Sequence, residues 1–148
     1  MSAVAAERAA ILGLDDLHVY LAESHVLQGI SFAVSEGGVT ALLGRNGVGK
    51  TTTLRAVMGL VPRRGRIDLG GEAIDRLPTH TIVRRGVGYV PEDRDVFAGL
   101  SVEENLKLAE RDAEPRYDLV YDLFPELRER GRQRAGTLSG GQQQMLAI

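Results

Sequence analysis

Apolar residues along this chain fall in short, closely spaced clusters separated by glycine and polar turns. Leu14–Leu21, with Leu17-His18-Val19-Tyr20 at its centre, reads as a strand. So does Gly29–Val34, where Ile30, Phe32 and Val34 alternate with other residues. Glu36-Gly37-Gly38 is a turn, and Val39–Leu43 is an almost wholly apolar run, the pattern of a strand covered on both faces. A glycine-rich loop follows, and Thr51–Met58 reads as a helix that Gly59 ends. Gly65–Ile74 predicts a pair of short strands around Gly70-Gly71, Thr79–Arg85 a helix stopped by Gly86, and Val87–Val90 a further apolar strand broken by Pro91. Ser101-Val102-Glu103-Glu104 is a capping box that opens a helix running to about Ala109. Pro115–Arg130 is helical with a break at Pro125, because proline cannot donate to the helix ladder. Strands mixed with helices, with a strand–loop–helix unit near the start, indicate an α/β fold.

A length of 148 residues suits one domain with a sizeable core. The formal charge of −2 supplies no net basic field, so nucleic acid is not an expected partner. Arginine clusters at 63–66 and 128–134 are the local exceptions, and such runs are ordinarily solvated faces. With no cysteine there is no disulfide or thiolate chemistry, which fits a reducing compartment. No apolar run approaches the length of a membrane span, and Met1–Arg8 lacks the pattern of a secretory signal and reads as a frayed leader.

Gly44-Arg45-Asn46-Gly47-Val48-Gly49-Lys50-Thr51 matches G-x-x-x-x-G-K-[ST] at every position. Wrapping a polyphosphate in backbone N–H groups needs glycines that tolerate unusual dihedrals and allow close approach. Lys50 supplies positive charge to the β- and γ-phosphates, the Thr51 hydroxyl is placed for Mg²⁺, and the helix start carrying Thr52 adds its dipole. A chance match in a chain this long is roughly a half-per-cent event. An apolar run before the loop and a helix after it supply the context the motif requires.

A second motif, Leu138-Ser139-Gly140-Gly141-Gln142, precedes an apolar helix start. Alone it could be a cap, with Ser139 at the N-cap and Gln142 three residues on. Together with the phosphate loop upstream, it makes the chain resemble the ABC ATPase family, whose signature is this pentad. The resemblance covers nearly the whole chain. It implies an α/β P-loop NTPase (RecA-like) core with an antiparallel β subdomain and a helical signature subdomain, incomplete at the C-terminus. The core and β subdomain would take about residues 11–90, the helical subdomain about 91–138, and the signature with its helix start 138–148. The implied ligands are ATP and Mg²⁺. Ser139, Gly140, Gly141 and Gln142 of one subunit would cap the γ-phosphate held by the loop of a second, head to tail. Tyr20 sits where the family places an aromatic ring on adenine. Glu92, in Tyr89-Val90-Pro91-Glu92, stands where the family has a glutamine touching Mg²⁺ and the attacking water.

Pro91-Glu92-Asp93-Arg94, Leu100–Leu106 and Leu138–Ile148 resemble the branch serving branched-chain amino acid uptake, with urea and short-amide systems close to it. The implied partners are a second ATPase subunit, integral membrane permease subunits touching Glu92–Phe97, and indirectly a substrate-binding protein. The implied location is the cytoplasmic face of the plasma membrane. The family continues with a strand carrying a metal-linked Asp and a catalytic Glu, then a switch His. His18, His25 and His80 lie in the wrong context for that role. Two central strands of the parallel sheet, between Val39–Leu43 and Val87–Val90, are expected to be missing. The polypeptide is therefore expected to bind nucleotide without competent turnover. The alternatives are a non-transport ABC ATPase and an inert nucleotide-binding fragment.

Overall fold

The computed structural model describes residues 9–110 and 114–148, so the leader expected at Met1–Arg8 lies outside the described residues. The chain forms two compact units, one ending at Tyr89 and the other beginning at Val90.

In the first unit, β1 (Ala10–Leu21) and β2 (Ser24–Ser35) form an antiparallel hairpin, longer than the alternation predicts. β3 (Arg64–Leu69) pairs with the other edge of β1, and β4 (Glu72–Ala73) pairs with β3, giving the order β2-β1-β3-β4. The extra length was hidden by a bulge. Leu14 faces Phe32 and Leu17 faces Ile30, so Asp15 and Asp16 oppose Ser31 alone. Asp16 takes φ 49° there, and its N–H donates to Ser31 Oγ at 2.9 Å. Gly65 of β3 runs so close to the Asp16 carbonyl that any side chain would collide with it. α1 (Lys50–Val57) covers one sheet face, and Leu14, Leu17, Val19, Leu27 and Ile67 join Ala56, Val57 and Met58 in one core. α2 (Thr79–Arg84) adds Ile82 to it.

Two expectations are corrected. Neither Val39–Leu43 nor Val87–Val90 belongs to a ladder among the described residues, and Val39 and Leu43 are almost fully exposed. An apolar run marks a segment that can be covered on both faces, but only a neighbouring strand makes it one. The arginines of 63–66 are also more than a solvated face. Arg63 donates to the carbonyls of Ile74 (2.8 Å) and Leu77 (3.2 Å), and Arg66 pairs with Asp68 at 2.7 Å. Burial pulls the Arg63 pKa down, with Asp75 opposing.

The second unit holds α3 (Val102–Leu108), α4 (Tyr117–Leu123), α5 (Pro125–Glu129) and α6 (Gly140–Ala147). The helix predicted over Pro115–Arg130 breaks at Phe124, and Pro125 opens α5 where its missing N–H costs nothing. Val102, Leu127, Ala135 and Leu138 form the core. Backbone bonds from Val102 N–H to the Gln133 carbonyl and from Ala135 N–H to the Leu100 carbonyl tie the start of α3 to the segment entering α6.

The capping box of α3 is complete: Ser101 Oγ accepts from Glu104 N–H at 3.2 Å, and the Glu104 carboxylate accepts from Ser101 N–H at 2.7 Å. The Ser101 backbone N–H, then its hydroxyl, then Lys107 hold the Glu104 carboxyl below its ordinary pKa, against a smaller desolvation. A depressed folded pKa stabilises above the unfolded value, and that contribution is lost as pH falls through the folded one. Ser101→Ala should cost about 1 kcal/mol, read as a lowered urea midpoint at neutral pH. In Ser101→Ala the acid sensitivity due to Glu104 should shrink but not vanish, because the hydroxyl is lost while the larger contribution, from the Ser101 backbone N–H, remains.

Candidate nucleotide-binding site

The phosphate loop occupies residues 44–51 between the Val39–Leu43 run and α1. Gly47 (φ 83°) and Gly49 (φ 98°) take left-handed conformations that side chains resist. Gly49 is required twice over, since a Cβ there would lie 2.5 Å from Leu27 Cδ2. The loop is thus seated on β2 through Leu27. Thr53 anchors it from the helix side, its hydroxyl donating to the Gly49 carbonyl at 2.9 Å.

Lys50 begins α1 and folds its ammonium back over the loop, donating to the carbonyls of Gly44 and Arg45 at 2.8 Å each. These bonds hold a cation at the loop's concave side beside the N-terminus of a helix, which is the arrangement an anion requires. Arg45, Asn46, Val48, Thr51 and Thr52 complete the loop and the first turn, and Val48 is half-exposed. No group of three or more His, Asp or Glu side chains among the described residues could enclose a metal. Mg²⁺ takes hard oxygen ligands alongside water and phosphate oxygens. The Thr51 hydroxyl, next to Lys50 at the start of α1, is an oxygen donor of that type.

Tyr20 lies near the C-terminal end of β1 and is half-exposed. Leu17 and Val19 are fully buried on the side of β1 that packs with α1, and Val19 is paired with Leu27. Side chains alternate along a strand, so Tyr20 belongs to the opposite face. There its ring stacks on His25, with centroids 4.1 Å apart and planes 8° apart. The Arg64 guanidinium lies 5.9 Å from the same ring. His25 Nε2 and His18 Nδ1 are 3.0 Å apart, and His18 Nε2 is 2.9 Å from Asp16 Oδ1.

The pentad Leu138–Gln142 lies in the second unit. Leu138 is buried in the core, and Ser139 caps α6. Ser139 Oγ accepts from Gln142 N–H at 3.3 Å, and Gln142 Oε1 accepts from Ser139 N–H at 3.0 Å, so the capping-box reading holds. Gln142 also donates to Glu126 at 3.2 Å. The two glycines differ. A Cβ on Gly140 would come within 2.8 Å of the Arg94 guanidinium, whereas one on Gly141 would meet nothing within 4 Å. Gly141 lies in the first turn of α6 with open space around it. Glu92 is exposed beyond Pro91, in this second unit.

Asn105 was not legible in the sequence. It is buried, accepts from Phe97 N–H at 2.8 Å and donates to the carbonyls of Phe97 (3.1 Å) and Ser101 (2.8 Å), pinning the loop before α3. One polar residue on a helix carries no periodic signal, and only its burial reveals the role.

Comparison with known proteins agrees with this geometry. The ABC transporter family profile matches residues 27–148. A probable branched-chain amino acid transport ATP-binding protein LivF from Archaeoglobus fulgidus is 42% identical over 132 residues, covering 85% of this chain and 56% of the relative. The high-affinity branched-chain amino acid transport ATP-binding protein BraG of Pseudomonas aeruginosa is 42% identical over 144 residues, covering 93% and 62%. The lipopolysaccharide export system ATP-binding protein LptB of Escherichia coli is 41% identical over 131 residues, covering 83% and 54%. The chain thus spans little more than half the length of these relatives. A solved ATP-binding subunit of an ABC transporter superposes with a TM-score of 0.78 at 31% identity, covering 93% of this chain and 59% of that one. An ATP-binding cassette in its ADP conformation, at 23% identity, shares the fold with a TM-score of 0.76 over 95% of this chain and 63% of that one. With an intact phosphate loop in one unit and the signature pentad in the other, the chain belongs to the ABC transporter family, as an ATP-binding cassette.

Proposed function

We propose that the protein is the ATP-binding subunit energising an importer for branched-chain amino acids, and that it binds and hydrolyses ATP in a head-to-tail dimer. The observation that carries the nucleotide reading is the Lys50 ammonium held over the loop by the Gly44 and Arg45 carbonyls, at the start of α1. In this reading Gly44–Gly49 wrap the phosphates with backbone N–H groups, and Lys50 exchanges its carbonyl partners for phosphate oxygens. The Thr51 hydroxyl would hold Mg²⁺, which would neutralise charge on the phosphates. Ser139, Gly140, Gly141 and Gln142 present a helix N-terminus to the nucleotide of the partner subunit. The open space at Gly141 supports that role.

The solute rests on the relatives LivF and BraG. A second reading, lipopolysaccharide export, is favoured by LptB at nearly the same identity. No helix among the described residues is long and apolar enough to cross a membrane. Attachment at the cytoplasmic face would run through permease subunits, with the exposed Phe97 on the contacting loop. The protein, reconstituted with candidate permease subunits, should hydrolyse ATP several-fold faster when a binding protein presents leucine, isoleucine or valine. Stimulation by lipopolysaccharide instead would favour export, and no stimulation by any of the three amino acids would overturn the importer.

A further inference from the structure

The phosphate loop is seated on the start of β2, beside a chain of hydrogen-bonded rings. Gly49 rests against Leu27 and Val26: a Cβ on it would lie 2.5 Å from Leu27 Cδ2 and 3.5 Å from the Val26 carbonyl oxygen. Val19 pairs with Leu27 and Tyr20 with His25, so Val26 is left out of register between them. His25, next to it, is held from β1. Its ring stacks on Tyr20, and its Nε2 lies 3.0 Å from His18 Nδ1. His18 Nε2 is 2.9 Å from Asp16 Oδ1, and Gly29 leaves room for that carboxylate, since a Cβ there would come within 2.9 Å of it. Gln28 Nε2 donates to the His25 carbonyl at 3.1 Å. The other charged groups at this place are Arg64 of β3, Arg63 beside it, and Glu23 in the turn. Arg64 stands opposite His18 in register, with its guanidinium 5.9 Å from the Tyr20 ring.

The number of protons this chain can hold is limited. A carboxylate only accepts, so His18 Nε2–H donates to Asp16 and, in the neutral ring, Nδ1 is bare. His25 Nε2–H then supplies the proton between the rings. One added proton can go to His25 Nδ1 without disturbing either bond. A second puts N–H against N–H across 3.0 Å, two cations with no acceptor between them. Arg64, on the β3 side, is itself a cation and accepts nothing. Imidazoles change charge between about pH 5 and 8, so mild acidification supplies these protons. We infer that the His18–His25 pair is a proton-operated latch on the seat of the phosphate loop. Acid that charges both rings separates them, loosens the start of β2 at His25–Leu27, and lowers the affinity of the loop for a polyphosphate. This rests on the phosphate-loop reading of the protein.

The test has two parts, both on the full chain. In solution NMR without nucleotide, the Tyr20 ring and the backbone N–H groups of Leu27 and Gly49 should shift together with the histidine rings as pH falls from about 7.5 to 5.5. In His25→Phe, which keeps a ring against Tyr20 but takes no proton, the Gly49 signal should stay still. Fluorescent ATP titration at the two pH values then reads the coupling. A terminal phosphate also titrates in this range, so the quantity is the fall in wild type relative to His25→Phe. Wild type should lose about fivefold more affinity than the variant. His18→Asn, which also leaves a single titrating ring, should behave as His25→Phe does and covers a failure of the latter to fold. Equal falls in wild type and variants would overturn the inference, as would a Gly49 signal in wild type that stays still while both histidines titrate. Lys50→Ala separates the two readings. Normal ATP binding by that variant at about pH 7.5 would show the phosphate site itself to be wrong. Its loss, beside equal falls in wild type and His25→Phe, would show the latch alone to be wrong.

Discussion

Lys50→Ala should weaken ATP binding by roughly thirty- to a hundredfold, the equivalent of about 2–3 kcal/mol for a charge-assisted bond to phosphate. The expectation follows from where the ammonium is kept. Its two 2.8 Å bonds to the carbonyls of Gly44 and Arg45 hold it at the loop before any ligand arrives, so little ordering remains to be done on binding. Those carbonyls are weak partners beside a phosphate oxygen carrying a full charge, and exchanging one for the other favours the bound state. Alanine removes the charge and also frees both carbonyls, which then face the incoming anion as acceptors. The loop should nevertheless keep its shape, because Gly49 sits against Leu27 and Thr53 Oγ holds the Gly49 carbonyl independently of Lys50. Fluorescent ATP titration of folded Lys50→Ala measures the loss, with circular dichroism confirming an unchanged secondary structure. Unchanged affinity would refute the site.

What the sequence revealed, and what it hid, divides along physical lines. The phosphate loop and the capping boxes at Ser101 and Ser139 were legible because each is a local device: a few residues at fixed spacing satisfy backbone groups within one turn. The paired strands around Gly70-Gly71 were legible for the same reason. Val39–Leu43 and Val87–Val90 were misread because a ladder belongs to two segments, and hydropathy reports on one. The neighbours of Tyr20 were not legible either, because the face and partners of a strand residue depend on register, and here register brings His25 and Arg64 to its ring. The bulge at Asp15–Asp16 and the tight approach of Gly65 are long-range facts that no single stretch encodes. The Arg94 guanidinium beside Gly140 is of the same kind, joining residues far apart in the chain, whereas Asn105 acts on nearby residues and only its burial marks it.

Ser139→Arg should abolish ATP-driven dimerisation while leaving the ATP affinity of the monomer nearly unchanged. The two halves of this outcome come from different places in the molecule. The phosphate loop belongs to the unit ending at Tyr89, with its own core, whereas Ser139 caps a helix in the unit beginning at Val90. If the pentad acts on the nucleotide of a second subunit, removing it cannot weaken binding to the loop of its own subunit. Arginine at position 139 loses the hydroxyl that accepts from Gln142 N–H, which costs α6 about 1 kcal/mol of capping. It also places a bulky cation at a helix N-terminus already bearing positive charge and lying close to Arg94. A fold defect is separated from an interface defect by Ser139→Asp. Aspartate is as good an N-cap as serine, so α6 should stay intact, but its carboxylate would repel an approaching γ-phosphate. Both variants should therefore fail to dimerise, the second with undiminished stability. The measurement is size-exclusion chromatography with and without ATP, on the complete reading-frame product in a hydrolysis-deficient background, beside nucleotide titration of the monomer. Hydrolysis, measured without that background, should fall in step if the site is assembled across the subunit face. A loss of monomer affinity matching Lys50→Ala would place Ser139 in the site of its own subunit. Normal dimerisation and turnover in both variants would leave Leu138–Gln142 as a helix cap and nothing more.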